Sequence, residues 1–76
     1  MNETALHNKS VAWLELQDRR FKLRPQRFRP KEVAEAVGGA YGILGRIADK
    51  VVSELKARGI NIRYVRTKSS VYFELL

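Results

Sequence analysis

The chain contains no cysteine, and His7 is its only histidine. These absences exclude disulfide bonds and a thiolate–imidazole metal site. No apolar run reaches the length of a membrane span or of a signal peptide, which predicts a cytoplasmic protein with no membrane partner. The glycine-rich stretch lacks the G-K-[ST] of a phosphate-binding loop, and the acidic residues are scattered among basic ones. An enzyme is therefore the least expected class, and no cofactor is expected.

Positive charge is in clear excess. Fifteen Lys and Arg stand against eight Asp and Glu, giving a net charge of +7 over 76 residues. On so short a chain this excess indicates a polyanionic partner, with nucleic acid first. An apolar fraction of 45% suffices for a packed core, so residues 1–76 are expected to form a single small domain.

Two helices joined by a glycine turn are predicted in the middle of the chain. Pro30 suits a first helical position, and Gly38 and Gly39 end that helix, so it spans about residues 30–37. A longer helix over about 41–58 follows from apolar residues at three- and four-residue spacing: Ile43, Leu44, Ile47, Ala48, Val51, Val52 and Leu55. Such a pair, with basic residues on the exposed side of the second helix, is typical of a helix-turn-helix.

A further helix is predicted over about residues 3–20, with Trp13 as a core anchor. Its apolar residues cover more than half of its circumference, which leaves room for a homodimer contact. A basic connector without acidic residues follows at 21–29. Two prolines interrupt helix formation in this region, and residues 27–29 suit a very short strand.

After Gly59 the apolar period changes from 3.6 to two, in the runs INIRYVR and VYFELL. Turn-forming residues separate the runs, which predicts an antiparallel β-hairpin over 60–76 with Lys68 at its tip. A hairpin is not stable alone, so one of its faces must pack on the helices.

This order of elements resembles that of winged helix-turn-helix domains. FRPKEVAEAV followed by GGAYGILGRIADKVVSELKARGI is similar to their core in small transcription regulators. In its length, its basicity and its lack of cysteine the chain also resembles the small winged-helix regulators of crenarchaeal plasmid-viruses. The resemblance implies an α+β fold with three helices and a C-terminal two-stranded wing, and a regulator that binds double-stranded DNA in a sequence-specific manner. One departure is that the family usually starts its third helix with a Ser or Thr cap, where this chain has Gly39 and Ala40.

The resemblance also implies which residues contact DNA. The third helix would lie in the major groove and present Tyr41, Gly42, Gly45, Arg46, Asp49 and Lys50, while Arg66, Lys68 and Ser69 of the wing would contact the backbone or minor groove. Arg46 is the strongest candidate for a base contact, since its guanidinium can pair with guanine O6 and N7. Asp49 is expected to pair with Arg46 or Lys50.

Phosphate contacts are expected near the start of the second helix as well. Arg27, Arg29 and Lys31 lie in the basic stretch and at a helix N-terminus, whose free N–H groups attract phosphate.

Two other functions remain open at this point. Gly42-Ile43-Leu44-Gly45 matches the GxxG pattern of KH RNA-binding domains, although its two middle residues follow the apolar stripe and are expected to be buried. Some ribosomal winged helices also bind RNA. A protein–protein adaptor would be favoured by an exposed apolar patch around Trp13 or around Leu75 and Leu76.

Overall fold

The computed structural model describes all residues, 1–76, and contains three helices and three strands. In chain order these are α1 (Glu3–Arg20), β1 (Gln26–Phe28), α2 (Pro30–Val37), α3 (Tyr41–Ala57), β2 (Ile62–Arg66) and β3 (Val71–Leu75). The predicted α+β class is confirmed. None of the helices is both long enough and apolar enough to cross a membrane.

The sheet has three antiparallel strands, whereas only a two-stranded hairpin was predicted and the short strand expected at 27–29 was given no partner. Its order is β1-β3-β2, so the C-terminal strand lies in the centre. Gln26 lies opposite Leu75 in the first pairing, and Ile62 lies opposite the same leucine in the second. A strand of three residues such as β1 depends on a partner that is distant in sequence, which is why no local pattern reveals the pairing.

The helix ends follow from their flanking residues. The Asn2 side chain accepts a hydrogen bond from the backbone N–H of Ala5 at 2.7 Å and caps α1. The Glu32 carboxylate accepts one from the backbone N–H of Arg29 at 3.1 Å, at the start of α2. Helices α2 and α3 are followed by Gly38 and Gly59, with φ of 80° and 82°, the left-handed conformation that glycine adopts most readily.

The core lies between the helices and one face of the sheet. Its completely covered side chains include Leu14, Leu44, Leu55, Phe73 and Leu75. Burying one such side chain contributes about 1.5–3 kcal/mol relative to its exposure. Trp13 is half-buried and packs edge-on against Phe28, with 5.1 Å between ring centroids.

Of the residues that the adaptor hypothesis named, only Leu76 is exposed. Leu75 is buried, and Trp13 is half-covered by the core. The exposed large side chains are instead Leu16, Phe21 and Leu23, at the end of α1 and in the connector, besides Met1, Tyr41, Val71 and Leu76.

Candidate nucleic-acid interface

A groove of about 380 Å³ lies where the start of α2, the first half of α3, the middle of β2 and the start of β3 meet. It is lined by Arg29, Pro30, Lys31, Tyr41, Gly42, Gly45, Tyr64 and Val71. Five of these eight were predicted from the sequence to bind DNA: Arg29, Lys31, Tyr41, Gly42 and Gly45. The fold therefore brings residues of the second and third helices to one place.

The other predicted residues of α3 lie around its exposed side. At 100° per residue, Arg46 lies in the middle of that side, between the groove and α1. Lys50 lies at the edge next to α1, where its carbonyl oxygen is 3.4 Å from His7 Nε2. The Arg46 side chain is exposed and takes part in none of the ion pairs of the structure.

Asp49 pairs with Arg66 of β2, not with Arg46 or Lys50 as expected. Its Oδ2 lies 3.7 Å from Arg66 Nη2, and the Arg66 guanidinium also lies over the ring of Tyr64, 5.2 Å from the centroid. The prediction considered only neighbours along the helix, whereas the packing of α3 on β2 brings in Arg66. Both charged groups are exposed, so the ion pair itself stabilises the fold weakly.

The turn between β2 and β3 is held by Thr67. Its Oγ1 accepts hydrogen bonds from the backbone N–H groups of Ser69 at 3.3 Å and Ser70 at 2.9 Å. The Thr67 N–H in turn donates to the Ser70 carbonyl at 2.8 Å. These bonds fix the backbone and leave the Lys68 and Ser69 side chains exposed at the tip.

Arg27 lies outside the groove, on the outer face of the sheet. The register places Glu74 of β3 between Arg27 of β1 and Arg63 of β2. The Glu74 carboxylate is 2.8 Å from Arg27 Nε and 2.6 Å from the Arg63 guanidinium. Arg27 also lies over the ring of Tyr72, 5.0 Å from the centroid. The arginine predicted to track phosphate is thus engaged in a cross-strand ion pair.

The charges in this cluster shift each other's protonation equilibria. Glu74 is only 1% exposed because the two arginines cover it. Hydrogen bonds from Arg27 and then Arg63 hold the pKa of the Glu74 carboxyl below its usual range, and burial opposes this only in part. The hydrogen bond to Glu74 likewise raises the pKa of Arg27. Nothing local in the sequence marked this cluster.

Most of the other ion pairs also lie away from the groove. Acidic residues of α1 and α3 neutralise Arg19, Arg24 and Arg58. The unpaired cations include the predicted contact residues Arg29, Lys31, Arg46, Lys50 and Lys68.

The start of α3 has no side-chain cap. Its capping position is Ala40, which has no side chain that can cap the helix. The Ala40 carbonyl accepts the hydrogen bond of the Leu44 N–H. The first-turn N–H groups and the positive end of the helix dipole are therefore available to an anion. Tyr41 and Gly42 of this turn also line the groove.

Two residues of the groove, Tyr64 and Val71, were missed by the sequence reasoning. Strand alternation places Tyr64 on the same side of β2 as the buried Ile62, and its ring packs on Phe73, with 4.8 Å between centroids. At this end of the sheet, however, the opposing residue of α3 is Gly45, which leaves the tyrosine hydroxyl uncovered.

The GxxG tetrapeptide lies inside α3 and not in a loop, with Leu44 completely buried and Ile43 half-buried.

Comparison of the chain with protein-family models, with curated proteins and with solved structures found no match in any of the three.

Proposed function

We propose that the protein is a sequence-specific, double-stranded DNA-binding transcription regulator of the winged helix-turn-helix type, acting in the cytoplasm without a cofactor. In this proposal α2 and α3 form the helix-turn-helix, α3 reads the major groove, and the β2–β3 turn is the wing. One observation carries it: the unpaired cations Arg29 and Lys31 line one groove, and two elements that adjoin it, α3 and the β2–β3 turn, carry the unpaired Arg46 and Lys68.

The dimensions fit this mode of binding. A helix with its side chains is about 10–12 Å across, and the major groove of B-DNA is about 12 Å wide. Arg46 is unpaired on the exposed side of α3, so its guanidinium is free to pair with guanine O6 and N7. Lys68 and Ser69 at the tip contact the backbone, which contributes affinity more than sequence preference.

Double-stranded RNA fits less well than DNA. Its A-form major groove is too narrow and deep for side chains to read, so an exposed helix such as α3 has no place in it. The KH alternative needs its GxxG residues in a loop against the nucleic-acid backbone. In this fold they are helical, and Leu44 belongs to the core.

Binding is tested by fluorescence anisotropy on labelled duplex DNA across a salt series, with duplex and single-stranded RNA as competitors. We expect log affinity to fall with log salt by about 0.9 per phosphate contact, and RNA to compete poorly. Preferential competition by single-stranded RNA would instead support an RNA-binding module. Absence of binding at low salt would support the protein–protein adaptor.

Two substitutions separate base reading from backbone contact, on an operator found by selection from random duplexes. Arg46→Ala should reduce the preference for that operator about tenfold or more, since a bidentate base contact discriminates by about 1–3 kcal/mol. Lys68→Ala should weaken binding to all duplexes alike and lower the salt slope by about 0.9. Lys56→Ala, at the far end of α3, is the charge-matched control. An unchanged preference in Arg46→Ala would contradict the placement of α3 in the major groove.

A further inference from the structure

Helix α3 carries two glycines, Gly42 and Gly45, that its own fold does not require. Both have ordinary helical conformation, since only Gly38 and Gly59 have positive φ. A Cβ on Gly42 would meet nothing within 4 Å, and one on Gly45 would meet only the Tyr64 hydroxyl, at an ordinary 3.9 Å. Glycine is the least favourable helix residue after proline, so an exposed Gly42 and a half-buried Gly45 without an internal packing reason indicate close approach by something outside the chain.

The groove that these glycines border is lined by both apolar and basic residues. Pro30, Val71 and the ring of Tyr64 form apolar walls beside the glycine backbone. Arg29 and Lys31 line the same groove. A DNA strand offers the complementary chemistry, because its deoxyribose faces are apolar and its phosphates are anionic.

The Tyr64 hydroxyl is well placed to meet such a phosphate. Packing on Phe73 fixes the ring, and the hydroxyl lies opposite Gly45. Partial burial raises the pKa of Tyr64, with Arg66 opposing the effect, so the hydroxyl keeps its proton at neutral pH and donates.

We propose that this groove binds the sugar–phosphate backbone of one DNA strand. The Tyr64 hydroxyl donates a hydrogen bond to a phosphate, and the absence of side chains at Gly42 and Gly45 leaves space for the backbone. The inference rests on the proposed function and adds to it a contact residue and a steric requirement. The inference also gives strand β2, through Tyr64, a contact with DNA that is separate from the contacts of the β2–β3 turn.

Gly45→Ala is the decisive variant, because stability and binding should change in opposite directions. The added methyl improves helix propensity and meets only an ordinary contact in the free protein, so the unfolding midpoint should rise by a few degrees. The same methyl reaches into the groove, so affinity for duplex DNA should fall by about tenfold. Asn8→Ala, an exposed position inside α1 and away from the groove, is the control for helix propensity and should leave affinity unchanged.

Tyr64→Phe tests the hydroxyl by itself. Loss of a hydrogen bond to a charged oxygen should weaken binding by about tenfold. The salt slope should stay as in the wild type because no charge is removed, whereas Arg29→Ala should lower it by about 0.9. If Tyr64 only packs in the core, Tyr64→Phe should bind duplex DNA with wild-type affinity.

The outcomes separate this inference from the proposed function. A wild-type protein that binds no duplex overturns both. If the wild-type protein binds duplex DNA and both Gly45→Ala and Tyr64→Phe bind it as tightly as the wild type, only the groove inference is overturned. An equal loss of affinity in Asn8→Ala and Gly45→Ala would attribute the effect to helix stability and would likewise overturn it.

Discussion

Three glycines of the chain form a matched set in which only the backbone conformation differs. A Cβ added to Gly38, Gly42 or Gly59 would meet no atom within 4 Å, so packing is the same at all three. Gly38 and Gly59 have φ of 80° and 82°, whereas Gly42 is helical. Alanine at each position in turn therefore isolates the energy of the left-handed conformation.

The expected changes in unfolding free energy follow from this difference. A left-handed residue with a Cβ costs about 1–2 kcal/mol. About 0.4–1 kcal/mol of this is offset because alanine restricts the unfolded chain more than glycine does. Gly38→Ala and Gly59→Ala should thus lose about 1 kcal/mol, while Gly42→Ala should gain up to about 1 kcal/mol.

Thermal and urea unfolding measure these changes directly. For a domain of this size, 1 kcal/mol shifts the midpoint temperature by about 4–8 °C. The total stability expected for 76 residues is about 4–11 kcal/mol, so every variant should remain folded. Gly38→Asn should lose less than Gly38→Ala, because asparagine tolerates the left-handed region. Shifts of the same sign in Gly38→Ala and Gly42→Ala would refute the end assigned to α2 and the reasoning built on it.

Two further predictions concern the sheet. Because the folded pKa of Glu74 lies below its unfolded value, its ion pairs stabilise the fold at neutral pH, and that contribution is lost as pH falls through the folded pKa. Glu74→Gln should therefore lower the urea midpoint at pH 7, and its difference from the wild type should shrink below about pH 4; a difference independent of pH would contradict the role of the carboxylate. Thr67→Val removes the acceptor of the Ser69 and Ser70 N–H groups and should cost about 0.5–1.5 kcal/mol by the same measurement, whereas wild-type stability would mean that the turn does not depend on Thr67.

The sequence was informative wherever structure depends on near neighbours. The apolar spacing along α3 and the left-handed glycines after α2 and α3 are local signals, and they predicted three helices and an α+β class. The pairing of β1 with β3 depends on residues far apart in the chain. Three residues carry too little pattern to reveal their partner, so the predicted sheet lacked one strand.

The candidate site was predictable to a similar extent. Helical periodicity could assign the residues of α3 to a buried or an exposed side, and it placed Tyr41 and Gly45 on the same side. The partner of Asp49 depended on packing between α3 and β2, which no helical period contains. Tyr64 was missed because alternation assigns a strand residue to a face but does not say where the helix covering that face carries a glycine.

The position of Glu74 determines where on this protein the positive charge is free. Arg27 and Arg63 lie on the two edge strands, on either side of β3, on the outer face of the sheet, and without an acid between them they would form a second basic surface. The register places one carboxylate between them, within 2.8 Å of Arg27 and 2.6 Å of Arg63. The pKa shifts agree, since both arginines hold the pKa of this carboxyl down. Within the sheet, unpaired positive charge then remains at Lys68 in the β2–β3 turn, so under the proposed function DNA should be attracted to that side of the protein before any base is read.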